Sequence, residues 1–293
     1  MGAALQTFLS RFLSTATLWS LAAAIFYWAY EPGIALLIGV LVFRSLYEFY
    51  SMLTAARFPH FRNTGQLCGA ALIAGALLVA RRQGSEPAFL YESAVLIAGT
   101  LVIFTRQIFH RNTDTLPLAA IGYTLLGFVY IPFLASSTIN LVYLTPKTAD
   151  GHLTGHFYLL YLAAVTKMSD CGAYVTGSLI GKHPMIPRIS PKKTWEGFAG
   201  ALGHSILTSV LLTRIFPTQL SLIGTTTSAV LLGLTLGFVA VLGDLAESLL
   251  KRSTHIKDSG HFLPGIGGAL DLIDSLLFTG PLLFLYLRYV QSF

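Results

Sequence analysis

The chain has 293 residues, of which 54% are hydrophobic and only 11% charged, and it carries a net charge of +6. Soluble domains hold about a quarter of their residues as charges, so this composition excludes an ordinary soluble protein and points to an all-α integral membrane protein, a polytopic bundle. A helix needs about 20 mainly apolar residues to cross the hydrocarbon core. About nine stretches approach that length, at 12–30, 34–53, 67–80, 93–105, 116–135, 157–177, 197–216, 224–243 and 271–290, the third and fourth being short.

The first stretch follows a start with Arg11 as its one charge and runs past Ala22, Ala23 and Ala24 to Tyr30 without a cleavage site, so it reads as a retained helix. Arg44 and Glu48 stand four apart on one helix face and read as an ion pair. Cys68 and Cys171 lie in or beside apolar spans and read as buried free thiols. With the N-terminus inside, Arg11, Arg57, Arg62, Arg106, Arg111, Lys182, Arg188, Lys192, Lys193, Lys251, Arg252 and Lys257 fall on the cytosolic side. Only Arg81, Arg82, Lys147, Arg214 and Arg288 fall opposite, an asymmetry that favours this orientation. The polar loops 178–196 and 244–270 then face the cytosol.

Residues 1–156 are mostly hydrophobic helix, whereas from 157 to 293 the spans acquire ionisable groups and the loops fill with glycine, proline and lysine. No linker separates the halves, so 1–293 reads as a single transmembrane domain with its chemistry in the second half. Charges at membrane depth cost roughly 2.5–3.5 kcal/mol each on insertion scales and mark function by default.

Lys167, Asp170 and Tyr174 share one face of the sixth span. The pair Lys167–Asp170 reads as an intrahelical ion pair or, alternatively, Asp170 points into a polar cavity. In Ser190-Pro191-Lys192-Lys193-Thr194-Trp195-Glu196-Gly197, the order serine then proline predicts a helix start with Ser190 as N-cap. Two lysines on that first turn would make an anion site. Asp244, Glu247, Ser248 and Lys251 fall at spacings of three, four and seven on the eighth span, and Asp271 and Asp274 repeat the spacing of three on the ninth. Two carboxylate faces brought together suit Mg²⁺. Between them lie Arg252, Lys257 and Asp258, then Pro264, Gly265, Gly267 and Gly268, which form a tight turn into the last span.

At these residues the chain resembles the phosphatidate cytidylyltransferase family, the CDP-diacylglycerol synthases. The resemblance runs over Asp170 with Ala173-Tyr174, Ser190 to Gly197, Gly243-Asp244-Leu245, Ser248, Lys251-Arg252, Lys257-Asp258, Pro264-Gly265, Gly267-Gly268, Asp271 and Asp274. Two positions depart from the family pattern, Ile266 where histidine is usual and Leu272 where arginine is usual.

The resemblance implies transfer of a cytidylyl group from CTP to phosphatidate, with Mg²⁺ and room for a monovalent cation. It implies catalytic roles for Asp244, Lys251, Asp258 and Asp271, and metal ligation by Asp244, Asp271 and Asp274. Substrate contacts would come from Asp170, Ser190, Lys192, Lys193, Thr194, Glu196, Ser248, Arg252, Lys257, Gly267 and Gly268. The implied partners are CTP, phosphatidate and membrane lipid, with no nucleic acid, in a bacterial inner-membrane protein compatible with a homodimer. The competing readings are a CTP-dependent kinase of a membrane alcohol, a transporter whose Lys167, Asp170, Asp271 and Asp274 mark an ion path, and a catalytically silent relative.

Overall fold

The computed structural model describes residues 31–110, 116–145, 154–256, 260 and 267–292, with Ser20, Ala24, Phe26 and Trp28 ahead of them. The expected first span, 12–30, otherwise lies outside the described residues. The helices are α1 (Glu31–Ala55), α2 (Arg62–Gln83), α3 (Ser85–Ile108), α4 (Pro117–Phe128), α5 (Leu134–Val142), α6 (His156–Ile180), α7 (Trp195–Ile215), α8 (Thr226–Ser253) and α9 (Ala269–Gln291). A two-stranded hairpin, β1 (Pro184–Ile186) and β2 (Ser190–Thr194), stands between α6 and α7.

Among the described residues seven helical stretches are long and apolar enough to cross a membrane: α1, α2, α3, the run Pro117–Val142, α7, α8 and α9. The protein is therefore an all-α integral membrane protein. Of the nine expected spans, seven are met among the described residues; the first lies outside them, and α6, 25 residues long, carries Lys167 and Asp170 in its length. The third and fourth spans are longer than their apolar runs, since both helices extend through charged ends to meet at Gly84. That glycine has φ +91 and ψ −178, a conformation that is essentially glycine's alone.

The chain divides into two compact units, residues 1–139 with 253–273 and residues 140–252 with 274–293. In the first, α1, α2 and α4 close around Tyr50. Its ring is fully buried and its hydroxyl donates to the Thr124 carbonyl at 2.8 Å. Gly65 and Gly127 leave the space that the ring fills, so a methyl group on either would collide with it. After α4 the helix widens into a π turn over Val129–Phe133 around Pro132, which has no N–H to continue an α ladder.

In the second unit α6 and α7 meet through small residues. A Cβ on Gly172 would stand 2.6 Å from the Gly200 carbonyl oxygen, and one on Gly197 would stand 2.9 Å from that of Ala173. Hydroxyls join helices as well, Tyr161 of α6 to Ser209 of α7 at 2.6 Å and Thr166 of α6 to Thr279 of α9 at 3.1 Å. Close backbones and interhelical hydrogen bonds replace the hydrophobic drive that lipid does not supply. Outward positions such as Leu179, Leu207 and Leu231 remain exposed apolar surface, suited to lipid. Cys68 is half-buried and Cys171 exposed, so the expectation of two buried thiols fails for Cys171, which lies on the outward surface of α6; both are free.

Candidate active site

The second unit gathers most of the residues singled out in the sequence. The helix expected to begin at Ser190 begins instead at Trp195, because Ser190–Thr194 is drawn into β2 by antiparallel pairing with β1, Pro184 opposite Thr194 and Ile186 opposite Ser190. Thr194 is the cap, its hydroxyl accepting the Gly197 N–H at 3.1 Å. Glu196 ties the turn back by accepting the N–H groups of Lys182 and His183 at 3.1 and 3.2 Å, and it pairs with the His183 ring. The expected pair of lysines on a helical first turn is thus corrected to a pair on a strand, where successive side chains point to opposite faces. Lys192 is exposed, whereas Lys193 turns inward and meets Asp244 at 2.6 Å.

Apolar packing fixes that inward turn. Met185, Ile186 and Ile189 of the hairpin region lie against Ala201 of α7 and against Val241 and Leu245 of α8. Arg252 at the far end of α8 donates to the Ile189 carbonyl at 3.3 Å. The hairpin is held at both ends of one helical face.

Gly243 lets α8 and α9 cross closely, since a Cβ there would stand 2.9 Å from the Ser275 Cα and 3.0 Å from the Asp274 carbonyl oxygen. The crossing brings Asp244, Glu247 and Asp274 together, with one carboxylate oxygen of each within 4.8 Å of the other two. Glu247 and Asp274 are buried, and Lys251 meets Glu247 at 2.7 Å. Three acidic groups so close repel one another, and the ammonium groups of Lys193 and Lys251 relieve part of that repulsion. Hard oxygen donors at this spacing fit a divalent cation such as Mg²⁺, which takes a few carboxylates and shares its other positions with phosphate oxygens.

Glu247 was on one of the two carboxylate faces but not among the ligands that the resemblance implied. Its signal was present in the spacing of three from Asp244, on the same helical face. Asp170 pairs with Lys167 at 3.4 Å, as the intrahelical reading expected. Ser248 follows Glu247 on α8. Asp271 belongs to the first unit, where its carboxylate accepts the Gly268 N–H at 2.7 Å and closes the start of α9. Gly267, at φ +127, permits that approach; a Cβ there would stand 2.7 Å from an Asp271 carboxylate oxygen. Lys257, Asp258 and the departing position Ile266 lie outside the described residues, while Leu272 is half-buried on α9.

Residues 9–290 match the Cytidylyltransferase family. The chain belongs to that family. Within it, the chain is 40% identical over 161 residues to a protein of Mycobacterium bovis named phosphatidate cytidylyltransferase, covering 55% of this chain and 48% of the relative. It is 35% identical over 193 residues to a Bacillus subtilis protein of the same name, covering 66% and 67%. It is 33% identical over 193 residues to an uncharacterized protein of Escherichia coli, covering 66% and 62%. The chain spans about half the length of the mycobacterial relatives it matches.

Proposed function

We propose that this family member is a phosphatidate cytidylyltransferase that converts CTP and phosphatidate to CDP-diacylglycerol and pyrophosphate. The observation that carries the reading is the carboxylate group of half-buried Asp244 and buried Glu247 and Asp274, flanked by Lys193 and Lys251, in a chain whose family match runs nearly end to end. A phosphatidate oxygen attacks the α-phosphorus of CTP. The bond from that phosphorus to the oxygen bridging it to the β-phosphate breaks, and the electron pair leaves with pyrophosphate. Such a reaction asks the protein mainly for positioning and charge neutralisation.

Asp244, Glu247 and Asp274 would hold Mg²⁺, which supplies positive charge against the triphosphate. Lys193 and Lys251, each already oriented by a carboxylate, present ammonium groups to phosphate oxygens. Lys192 and Arg252, both exposed, draw the anionic nucleotide toward the site. Asp271 sits one turn before Asp274 on α9 and, with Asp170, Ser190, Thr194, Glu196, Ser248, Lys257, Asp258, Gly267 and Gly268, completes the residue set that the reading assigns to metal, substrate and loop geometry.

The same reading places the loops 178–196 and 244–270 on the cytosolic face of a bacterial inner membrane, where CTP is available. Cysteines introduced at Lys182 and Arg214 and labelled with a membrane-impermeant maleimide in intact spheroplasts test it. Labelling at Lys182 from outside would contradict it. A homodimer and a monovalent cation beside the Mg²⁺ belong to the same reading; the mass of the detergent-solubilised particle and the dependence of turnover on K⁺ test them.

A further inference from the structure

The first unit contains a cavity of about 450 Å³ where α1 ends, α2 begins and α3 ends, and Arg57, His60, Arg62, Asn63, Arg106 and His110 are among the residues that line it. Its volume lies in the range of small-molecule sites. Among the described residues no acidic side chain lines it, and none of the three arginines has an ion pair. Three guanidinium groups gathered without a counter-charge repel one another, so an anion is what the cavity lacks.

The arginines are also held in place. The Arg62 guanidinium lies 4.1 Å over the Tyr47 ring and that of Arg106 lies 5.1 Å over Phe61. Stacking on a ring occupies the face of a guanidinium and leaves its N–H edge for an oxyanion. Arg57 has φ +59, and its neighbour Phe58 donates to the Leu53 carbonyl at 2.9 Å. This is the left-handed position that closes a helix C-terminus, where glycine is the usual residue. The backbone alone would favour glycine there, so the presence of arginine calls for a role for its side chain. Beside the cavity, Ile108, Phe109, Leu116 and Leu118 are 73–82% exposed, an apolar rim next to a cationic pocket at the end of membrane spans.

We propose that this cavity binds a phosphate ester, the headgroup phosphate of an anionic membrane lipid, whose acyl chains lie along the apolar rim. The site is built wholly within the first unit and stands independently of the reaction proposed above.

The test uses the full chain in detergent, with dihexanoyl phosphatidylglycerol and inorganic phosphate as probes and dihexanoyl phosphatidylcholine as zwitterionic control. Binding is read by titration and by hydrogen exchange at residues 56–63 and 106–110. Phosphatidylglycerol is not a substrate of the proposed reaction, so the result does not depend on turnover. Arg57→Gly removes the charge while keeping the backbone turn, and Arg106→Gln removes a second; each is expected to weaken binding by about tenfold to a hundredfold, the loss of one charge-assisted partner, while Arg106→Lys retains most of it. Protection by phosphatidylglycerol alone assigns the site to lipid, and protection by inorganic phosphate as well assigns it to the phosphate group itself. Equal affinity in Arg57→Gly and Arg106→Gln, equal binding of the zwitterionic lipid, or protection by neither anion would overturn the proposal.

Discussion

Asp244 meets Lys193 at 2.6 Å and also shares a tight group with Glu247 and Asp274, so one side chain joins the hairpin to the crossing of α8 and α9. Asn at 244 or 274 keeps the shape and removes the charge. Each is expected to lower turnover by about a hundredfold or more, the scale of losing a group that stabilises transition-state charge, with the variant still extractable and folded. Glu247→Gln belongs to the same prediction, and its outcome separates a ligand from a mere partner of Lys251: a ligand role raises the Mg²⁺ concentration needed for half-maximal turnover. Lys193→Ala is expected to raise KM for CTP more than it lowers kcat. The sequence showed Asp244 and Asp274 because charges in or beside apolar runs stand out, and Lys193 and Lys251 because they belong to the motifs of the polar loops 178–196 and 244–270. Glu247 shared the carboxylate face of Asp244, while the family resemblance assigned it no role.

At the level of helices and strands, the glycines decide where the charged groups meet. A methyl group on Gly243 would press on Ser275 and Asp274. Gly243→Ala is therefore expected to cost about 1–3 kcal/mol, visible as a lower melting temperature, and to reduce turnover by shifting Asp274 away from Asp244. A second contact anchors the start of α9. Glu48, buried on α1, accepts the Leu270 N–H at 3.1 Å and pairs with Arg44 at 3.4 Å, and the Gly260 backbone leaves room beside it. Glu48→Ala is expected to destabilise this unit by about 1.5–3 kcal/mol and to speed hydrogen exchange at Leu270; unchanged exchange would remove Glu48 from that role.

The pair Arg44–Glu48 was legible as an i,i+4 contact, but its long-range bond to Leu270 was not, since no local pattern announces a partner 222 residues away. The hairpin was missed for a related reason. Ser190-Pro191 is a sound local helix start, yet pairing with Pro184–Ile186 and packing on Val241 and Leu245 outweighed it. Tertiary contacts overrule local propensity where a strand partner lies a few residues upstream.

For the whole molecule, hydropathy read the membrane class directly, because among the described residues seven helical stretches are long and apolar enough to span. It read the ends of α2 and α3 poorly, since Arg81, Arg82 and Glu86 at the Gly84 junction shorten an apolar run without ending a helix. The motifs from Asp170 to Asp274 carried the family resemblance, and the match over residues 9–290 bears it out. Removal of divalent metal by EDTA is expected to stop turnover, and Mg²⁺ in excess is expected to restore it, because three clustered carboxylates without a cation leave the triphosphate facing negative charge.

The most direct test of the central claim is to incubate the purified protein with CTP, phosphatidate and Mg²⁺ and to follow CDP-diacylglycerol and pyrophosphate by mass spectrometry, with Asp244→Asn beside it. The account predicts both products from the wild-type chain in equal amounts and at least a hundredfold less from the variant. Folded wild-type protein that binds CTP but forms neither product, or that releases CDP instead of pyrophosphate, would contradict it.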